Sequence, residues 1–431
     1  MLTYSMKSLF FFLIVAAPLI AIAEPHDKAR FMGTGSCASS NCHGSAAPRN
    51  TSSVLQNEYA IWSKHDKHAK AWLVLKEPEA ERIGAHLGIK DVSAEPWCLK
   101  CHATYVADAT LFSSTYKLED GVTCETCHGA AENYLKEHAT KGSSHARNLE
   151  LGLRDLVPLS SRAEFCLTCH YGSEDASVSH RLIGAGHPRL SFELDTYSML
   201  QPYHWKVDSD YIERKADYNN ARAWLIGQVE LGRALVAALQ SETRSKHGPL
   251  PELSLLTCYS CHHSLGDQQW KTREYEGRPG ELRLNTAALF MLQHAAAALK
   301  LSGADELGNS IEALELAYAQ QQLAPAAKNL SQQLDKISVS IKGIELNTKN
   351  LKALLHMLAK SGSKMKQLPY ETAEQIAMGM SAVLASFGNS GQVYQAKLDA
   401  VYTSLKTPHE FQPEVFRKTC SEFVSRLDQG I

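Results

Sequence analysis

The spacing of apolar residues divides the chain into three stretches. In the first, Leu9 to Ile22 is apolar and interrupted only by Pro18. At about 14 residues it falls short of the roughly 20 that a membrane-spanning helix needs. Lys7 precedes it, Ala21-Ile22-Ala23 closes it, and Glu24-Pro25 opens a polar chain. A positive start, a short apolar run and a small-residue cleavage site predict a secretory signal peptide over residues 1–23. No later segment reads as long and apolar enough to span, so an exported chain without a transmembrane segment after cleavage is expected.

The second stretch, residues 24–270, shows long periodicity in only two places. Leu55, Tyr59 and Trp62 predict a helix from Val54 to Lys76, and Trp224, Leu225, Val229, Leu235 and Leu239 predict another over 217–240. Turn residues at His247-Gly248-Pro249 end the latter. The third stretch, residues 271–431, reads as successive helices between breakers: Ser302-Gly303, Pro325, Gly343, Ser361-Gly362-Ser363, Gly388 to Gly391 and Pro408. Apolar residues there recur at three and four, as in Ile311, Leu314 and Tyr318. A helical bundle or helix-hairpin array is expected. It reads as a packing cap for the preceding domain, the alternative being a docking surface or an interface for a homo-oligomer.

Composition changes this picture at one point. The chain is 44% hydrophobic and 21% charged with a net charge of −2, ordinary for a globular protein and without the basic footprint of a nucleic-acid binder. Of its 11 cysteines and 19 histidines, however, 10 and 16 lie before residue 265. Export would favour disulfides, but the spacing points elsewhere. Four segments fit C-x-x-C-H: Cys98-Cys101-His102, Cys124-Cys127-His128, Cys166-Cys169-His170 and Cys258-Cys261-His262. Chance would supply on the order of 0.01 such matches in this composition. Two intervening residues place the sulfurs on neighbouring vinyl groups of one porphyrin, and the adjacent histidine folds under the ring as proximal iron ligand. Zinc ribbons and structural disulfides do not demand a histidine directly after every pair.

A fifth segment, Cys37-Ala-Ser-Ser-Asn-Cys42-His43, has four residues between its cysteines. Its Gly/Ser/Ala surroundings allow a longer loop to bulge outward and still present both sulfurs. Haem attachment is expected here too, with a Cys37–Cys42 disulfide as the alternative. Five haem c groups follow, and Cys420 is left over as a buried thiol. Five haems on some 250 residues leave too little chain for an apolar core around each. The predicted fold class is therefore mainly α, a loop-rich domain with haems as its core followed by an all-helical domain.

Histidine supply favours a second histidine on most irons, because Met32 and Met199 are the only methionines between the leader and residue 270. His68 lies four before Trp72 on the expected helix, and His65 suits a solvated face with Lys64, Asp66 and Lys67. His138 and His145 follow the third motif. His187 sits in Gly184-Ala-Gly-His-Pro188, where glycines permit close backbone approach and proline fixes the chain behind; it is favoured over His180. His204 lies between Tyr203 and Trp205. His26, His86 and His247 read as surface residues, and His263 as pointed away from its neighbour His262.

Several of these strings together resemble the tetrahaem cytochrome c-554 family of multihaem c-type cytochromes, over roughly residues 33–205. They are a first C…CH, Trp62 with His68-Ala-Lys-Ala71, the isolated motif at 98–102, Gly121-Val-x-Cys-Glu-x-Cys-His-Gly129, and a histidine-bearing loop before the motif at 166–170. The resemblance implies periplasmic electron transfer. It implies that His68 serves the haem of His128, that His138 or His145 serves that of His170, that His204 serves that of His43, and that the haem of His102 lacks a protein sixth ligand. The longer first motif, the fifth motif and the C-terminal extension depart from the family. His180 and His187 are candidates for the fifth or second haem.

Haems packed this closely would relay electrons between redox partner proteins of the periplasm or membrane, with no bond made or broken. The alternative is an oxidoreductase acting on a small nitrogen or sulfur compound at one open iron, with Arg181, Arg189, Tyr197 and His180 at hand.

Overall fold

The computed structural model describes residues 28–49, 54–215, 218–247, 250–258, 261–262, 282–320, 323–365 and 368–429. The expected signal peptide, His26 and His263 lie outside them. The fold is mainly α, with a loop-rich N-terminal part and an all-helical C-terminal part. Helices run α1 Glu58–His65, α2 Pro78–Leu87, α3 Pro96–His102, α4 Cys124–His128, α5 His145–Glu150, α6 Leu159–His170, α7 His180–Gly184, α8 Leu194–Leu200, α9 Ser209–Arg214, α10 Asn220–Gln240 and α11 Glu242–Ser245. Beyond a two-residue antiparallel pairing of Lys246–His247 with Leu250–Pro251 come α12 Ala287–Ala298, α13 Ala304–Ala319, α14 Leu323–Gly343, α15 Thr348–Lys364, α16 Tyr370–Ser386, α17 Gln395–Leu405 and α18 Pro413–Asp428.

The centre of the helical part is α10. Asn219 caps its start by accepting the Arg222 N–H at 2.9 Å. Trp224, Leu225, Ile226, Val229, Leu235 and Leu239 are all buried, so the helix is apolar on nearly every side, as an element surrounded by others must be. It packs on α12, α14 and α16, while α15 packs on α16 and α18. Gly379 of α16 lets the Trp224 indole approach, since a Cβ there would stand 2.9 Å from the ring. One aliphatic core joins α10 to the helices after residue 282. α10 thus precedes the boundary expected at 270/271 in sequence and shares its core with helices that follow it. Cys420 is fully buried in this core, and burial pushes its thiol up to about 12.

The N-terminal part is built differently. One small aliphatic cluster joins Leu75, Val92, Leu99 and Ala103, with Trp72 against it. A second small cluster, including Ala163, Leu167, Phe192 and Leu194, fastens α6 and α8 to α10. One expectation is corrected here. Val54–Lys76 is not one helix: α1 ends at Asp66 (φ −82°, ψ 127°), and single tight turns follow at Lys67–Lys70 and Leu73–Lys76. The reason is local: the Asp66 carboxylate accepts the His68 N–H at 2.9 Å, a cap that competes with helix continuation. The C-x-x-C-H motifs at 98–102, 124–128 and 166–170 are themselves helical. Those motifs form the last turns of α3, α4 and α6, which places cysteines three apart on one helical face.

Candidate functional site

The motifs meet in space. Cys37 is an electrostatic neighbour of Cys124, and Cys127 of Cys166. The Cys101 and Cys169 thiols are hydrogen-bonded neighbours. Cys258 lies within reach of the Arg189 charge, two residues after His187. The motifs thus adjoin in the order first, third, fourth, second, with the fifth beside the segment at 187–189. None of the ten motif cysteines is joined to another in a disulfide.

Each motif histidine faces a second histidine. The ring-centre separations are 6.2 Å for His43 and His138, 6.2 Å for His170 and His68, 6.3 Å for His102 and His187, 6.4 Å for His128 and His204, and 6.2 Å for His262 and His180. The first pair is parallel within 7°, the middle three are within 7° of perpendicular, and the last is tilted by 32°. A metal–imidazole bond of about 2 Å, with the ring centre about 1.1 Å beyond its nitrogen, would set two rings on one ion about 6.3 Å apart. The residues fit an iron between each pair.

The other ring nitrogen is often already engaged. The Nδ1–H of His102 donates to Ala71 O (2.8 Å), that of His138 to Tyr134 O (3.0 Å) and that of His187 to Pro188 O (2.7 Å). His43 Nδ1–H donates to Glu58 Oε2 at 3.0 Å, and His68 Nδ1–H to Asp66 Oδ1 at 2.9 Å. Each contact fixes the tautomer and leaves Nε2 with its lone pair for a ligand. Burial, with the charges of His204 and His43 behind it, pushes His128 down to about 4. Burial followed by His68 does the same to His170. Both rings are neutral, the form that binds metal.

These neighbours differ from those the resemblance implies. His68 stands opposite His170, not His128; His138 opposite His43, not His170; and His204 opposite His128, not His43. His102, implied to lack a partner, faces His187. His180, ranked below His187, has a place of its own opposite His262. His145 is not brought to a motif histidine: half-exposed at the start of α5, it points its Nε2 at Asp155 Oδ1, 3.5 Å away. Two features set this arrangement. Asp66 holds the His68 ring by its Nδ1, and Gly186 at φ 120° turns the chain from α7 into His187, a conformation that side chains disfavour.

Residues 36–129 match the family of cytochrome c554 and c-prime. Over this stretch, which holds the first three motifs, the chain is similar to c554-like multihaem cytochromes. The match supports a c-type cytochrome working in electron transfer with covalently bound haem c. No curated protein and no solved structure matches the chain.

Within the c554-like stretch several residues escape a reading of motifs alone. Glu125, between the cysteines of the third motif, is buried and accepts the N–H groups of Met32 (2.8 Å), Gly33 (2.7 Å) and Ala131 (2.8 Å). It anchors the strand of chain that leads into Cys37. Trp62 Nε1 donates to Val122 O at 3.1 Å, and Val122 N donates to His68 O at 3.0 Å, so α1, its turn and the third motif are one unit. Gly121 (φ 72°) is required there: a Cβ would stand 2.8 Å from His68 O. The glycine in the Gly-Val string was the available signal. Glu58 and Asp66 carried none that separates them from surface acids. Burial is the largest single influence on each and works against the charge, but the hydrogen bonds and charge of His43 and His68 together with backbone N–H groups, and Gln201 at Asp66, outweigh it and hold both carboxyls below their ordinary range.

Proposed function

We propose that the protein is an exported electron-transfer cytochrome with five covalently attached haem c groups, the first held through the longer Cys37–Cys42 spacing. Each iron is held by two histidines, in the pairs His43/His138, His102/His187, His128/His204, His170/His68 and His262/His180. The observation that carries this is the repeated separation of 6.2–6.4 Å between five motif histidines and five others. When bound, haem supplies a one-electron ferric/ferrous couple. The chain's residues then do three things. The cysteines would fasten the group, the paired imidazoles would hold its iron, and backbone carbonyls or carboxylates orient those imidazoles. With His187 opposite His102, the geometry supports a relay over a catalyst that needs an open iron.

The apolar run before Ala23 supports export, and no helix among the described residues is long and apolar enough to cross a membrane. Residues 1–23 act as the leader, and the mature chain exchanges electrons with redox proteins of the periplasm or its membrane. The mass of the mature holoprotein counts the attached groups, and electron paramagnetic resonance reports their spin state. Five groups, all low-spin, are expected. A high-spin centre that binds nitrite, nitric oxide or cyanide would replace this reading with the oxidoreductase one, and four groups would remove the first site.

A further inference from the structure

The five sites are not equivalent at the outer nitrogen of their histidines. We propose that Glu58 and Asp66 are positioning residues that hold the sites of His43 and His170 at lower reduction potential than the site of His102. This rests on the preceding reading that the sites carry haem.

At the His43/His138 site, Glu58 Oε2 receives the Nδ1–H of His43 at 3.0 Å, and its other oxygen is fixed by Gln56 N–H at 3.0 Å. The Glu58 side chain is 16% exposed. At the His170/His68 site, Asp66 Oδ1 receives the Nδ1–H of His68 at 2.9 Å, and Oδ2 receives Gln201 Nε2 at 3.2 Å. The Asp66 side chain is 5% exposed. Each carboxylate is therefore held from behind and largely removed from water. At the His102/His187 site, both outer nitrogens donate to neutral backbone carbonyls, those of Ala71 and Pro188.

The consequence is electrostatic. Reduction adds one electron to a site and breaks no bond. A full negative charge behind the imidazole favours the more positive, oxidised state, and it does so more strongly where water is excluded. A carbonyl dipole does the same more weakly. The difference between an ionic and a neutral hydrogen-bond acceptor is thus written into the ease with which each site takes its electron. The two carboxylate-backed sites sit first and third in the spatial order of motifs, with the site of His128 between them, and the carbonyl-backed site lies next along.

The test uses the full mature holoprotein with Glu58→Gln and, separately, Asp66→Asn. Each keeps a hydrogen-bond acceptor and removes the charge. Potentiometric titration followed by visible absorption and electron paramagnetic resonance is expected to show one of the one-electron steps moving upward in each variant, and a different step in the two. A tenfold change in the oxidised-to-reduced ratio, 59 mV for one electron, is the expected scale. Glu58→Asp, which restores the charge, should return the step toward its original position. Unmoved steps in variants that keep all their haems and remain low-spin would overturn the inference while leaving the five-haem reading intact. A wild-type protein without five low-spin haems would overturn the reading beneath it. Should neither variant mature, wild-type protein decides: steps resolved into at least two levels support the inference, and all five coinciding at one level sinks it.

Discussion

The two parts of the molecule solve the problem of holding a chain together in opposite ways. From α10 onward, side chains such as Trp224, Leu289, Leu314, Leu334, Phe416 and Phe423 are wholly or almost wholly out of water and join in one core. From residue 28 to 215 the aliphatic clusters are small, and the long-range ties are polar: Glu125 to Met32 and Gly33, Trp62 to Val122, Tyr116 to the Thr104 carbonyl, Arg154 to Thr126. Hydrogen bonds contribute only about 1 kcal/mol net each, whereas a buried large side chain contributes roughly 1.5–3 kcal/mol. The bundle can stand on its own packing. The other part holds four of the five histidine pairs and one ring of the fifth, and on the proposed reading it depends on the groups those pairs would clasp.

The largest expected effect follows from that contrast. Full-length chain made without haem attachment should lose protection from proteases across residues 28–215 and retain it from α10 onward, as mass spectrometry of the fragments would show. Equal protection of both parts would break the comparison. Next, Leu334→Ala, at a fully buried position of α14, should cost about 2–5 kcal/mol in the bundle, measured by denaturant unfolding, and leave the visible spectrum of the holoprotein unchanged.

A smaller effect sharpens the seam between the parts. Burial, and then the charge of Asp195, raises Glu193 to about 7, while burial raises Asp195 to about 6 against hydrogen bonds from Tyr218 and Asn220. Both carboxyls lie on the segment that packs on α10. Since the folded chain keeps these protons longer than the unfolded one, stability should fall as pH rises from about 4 to 7, by on the order of 1–3 kcal/mol. Glu193→Gln should flatten that slope in thermal unfolding across the range. A slope of the opposite sign would mean the carboxyls are ionised throughout. Smallest is Glu374→Ala in α16. It removes the acceptor of Arg189 and Ser191, both at 2.8 Å, and should cost about 1–2 kcal/mol with no change in haem count.

How much of this was legible beforehand depends on what kind of constraint acts. Covalent attachment fixes cysteine spacing locally, so the C-x-x-C-H strings stand out. Burial on helices leaves a period of three and four, so α10 and the bundle were legible from Trp224 through Leu239 and from Ile311 through Tyr318. The histidine neighbours were not, because partners lie 76 to 102 residues apart along the chain and no local rule links them. Asp66 illustrates the limit. Among Lys64, His65 and Lys67 it reads as part of a solvated face, yet it is buried, ends a helix and aims a ring. The packing of α10 is non-local in the same way: it precedes the fifth motif in sequence and shares a core with the helices after residue 282.

The stretch from His180 to His187 is a short lever with a ring at each end. One ring faces His262 and the other His102. Just past the second ring, Arg189 and Ser191 are clamped to Glu374, and the neighbouring Glu371 takes the N–H of Cys258 at 3.1 Å. A push on α16 from outside would therefore reach both histidine pairs together, and on the proposed reading anything gripping the bundle would handle two haem sites at once.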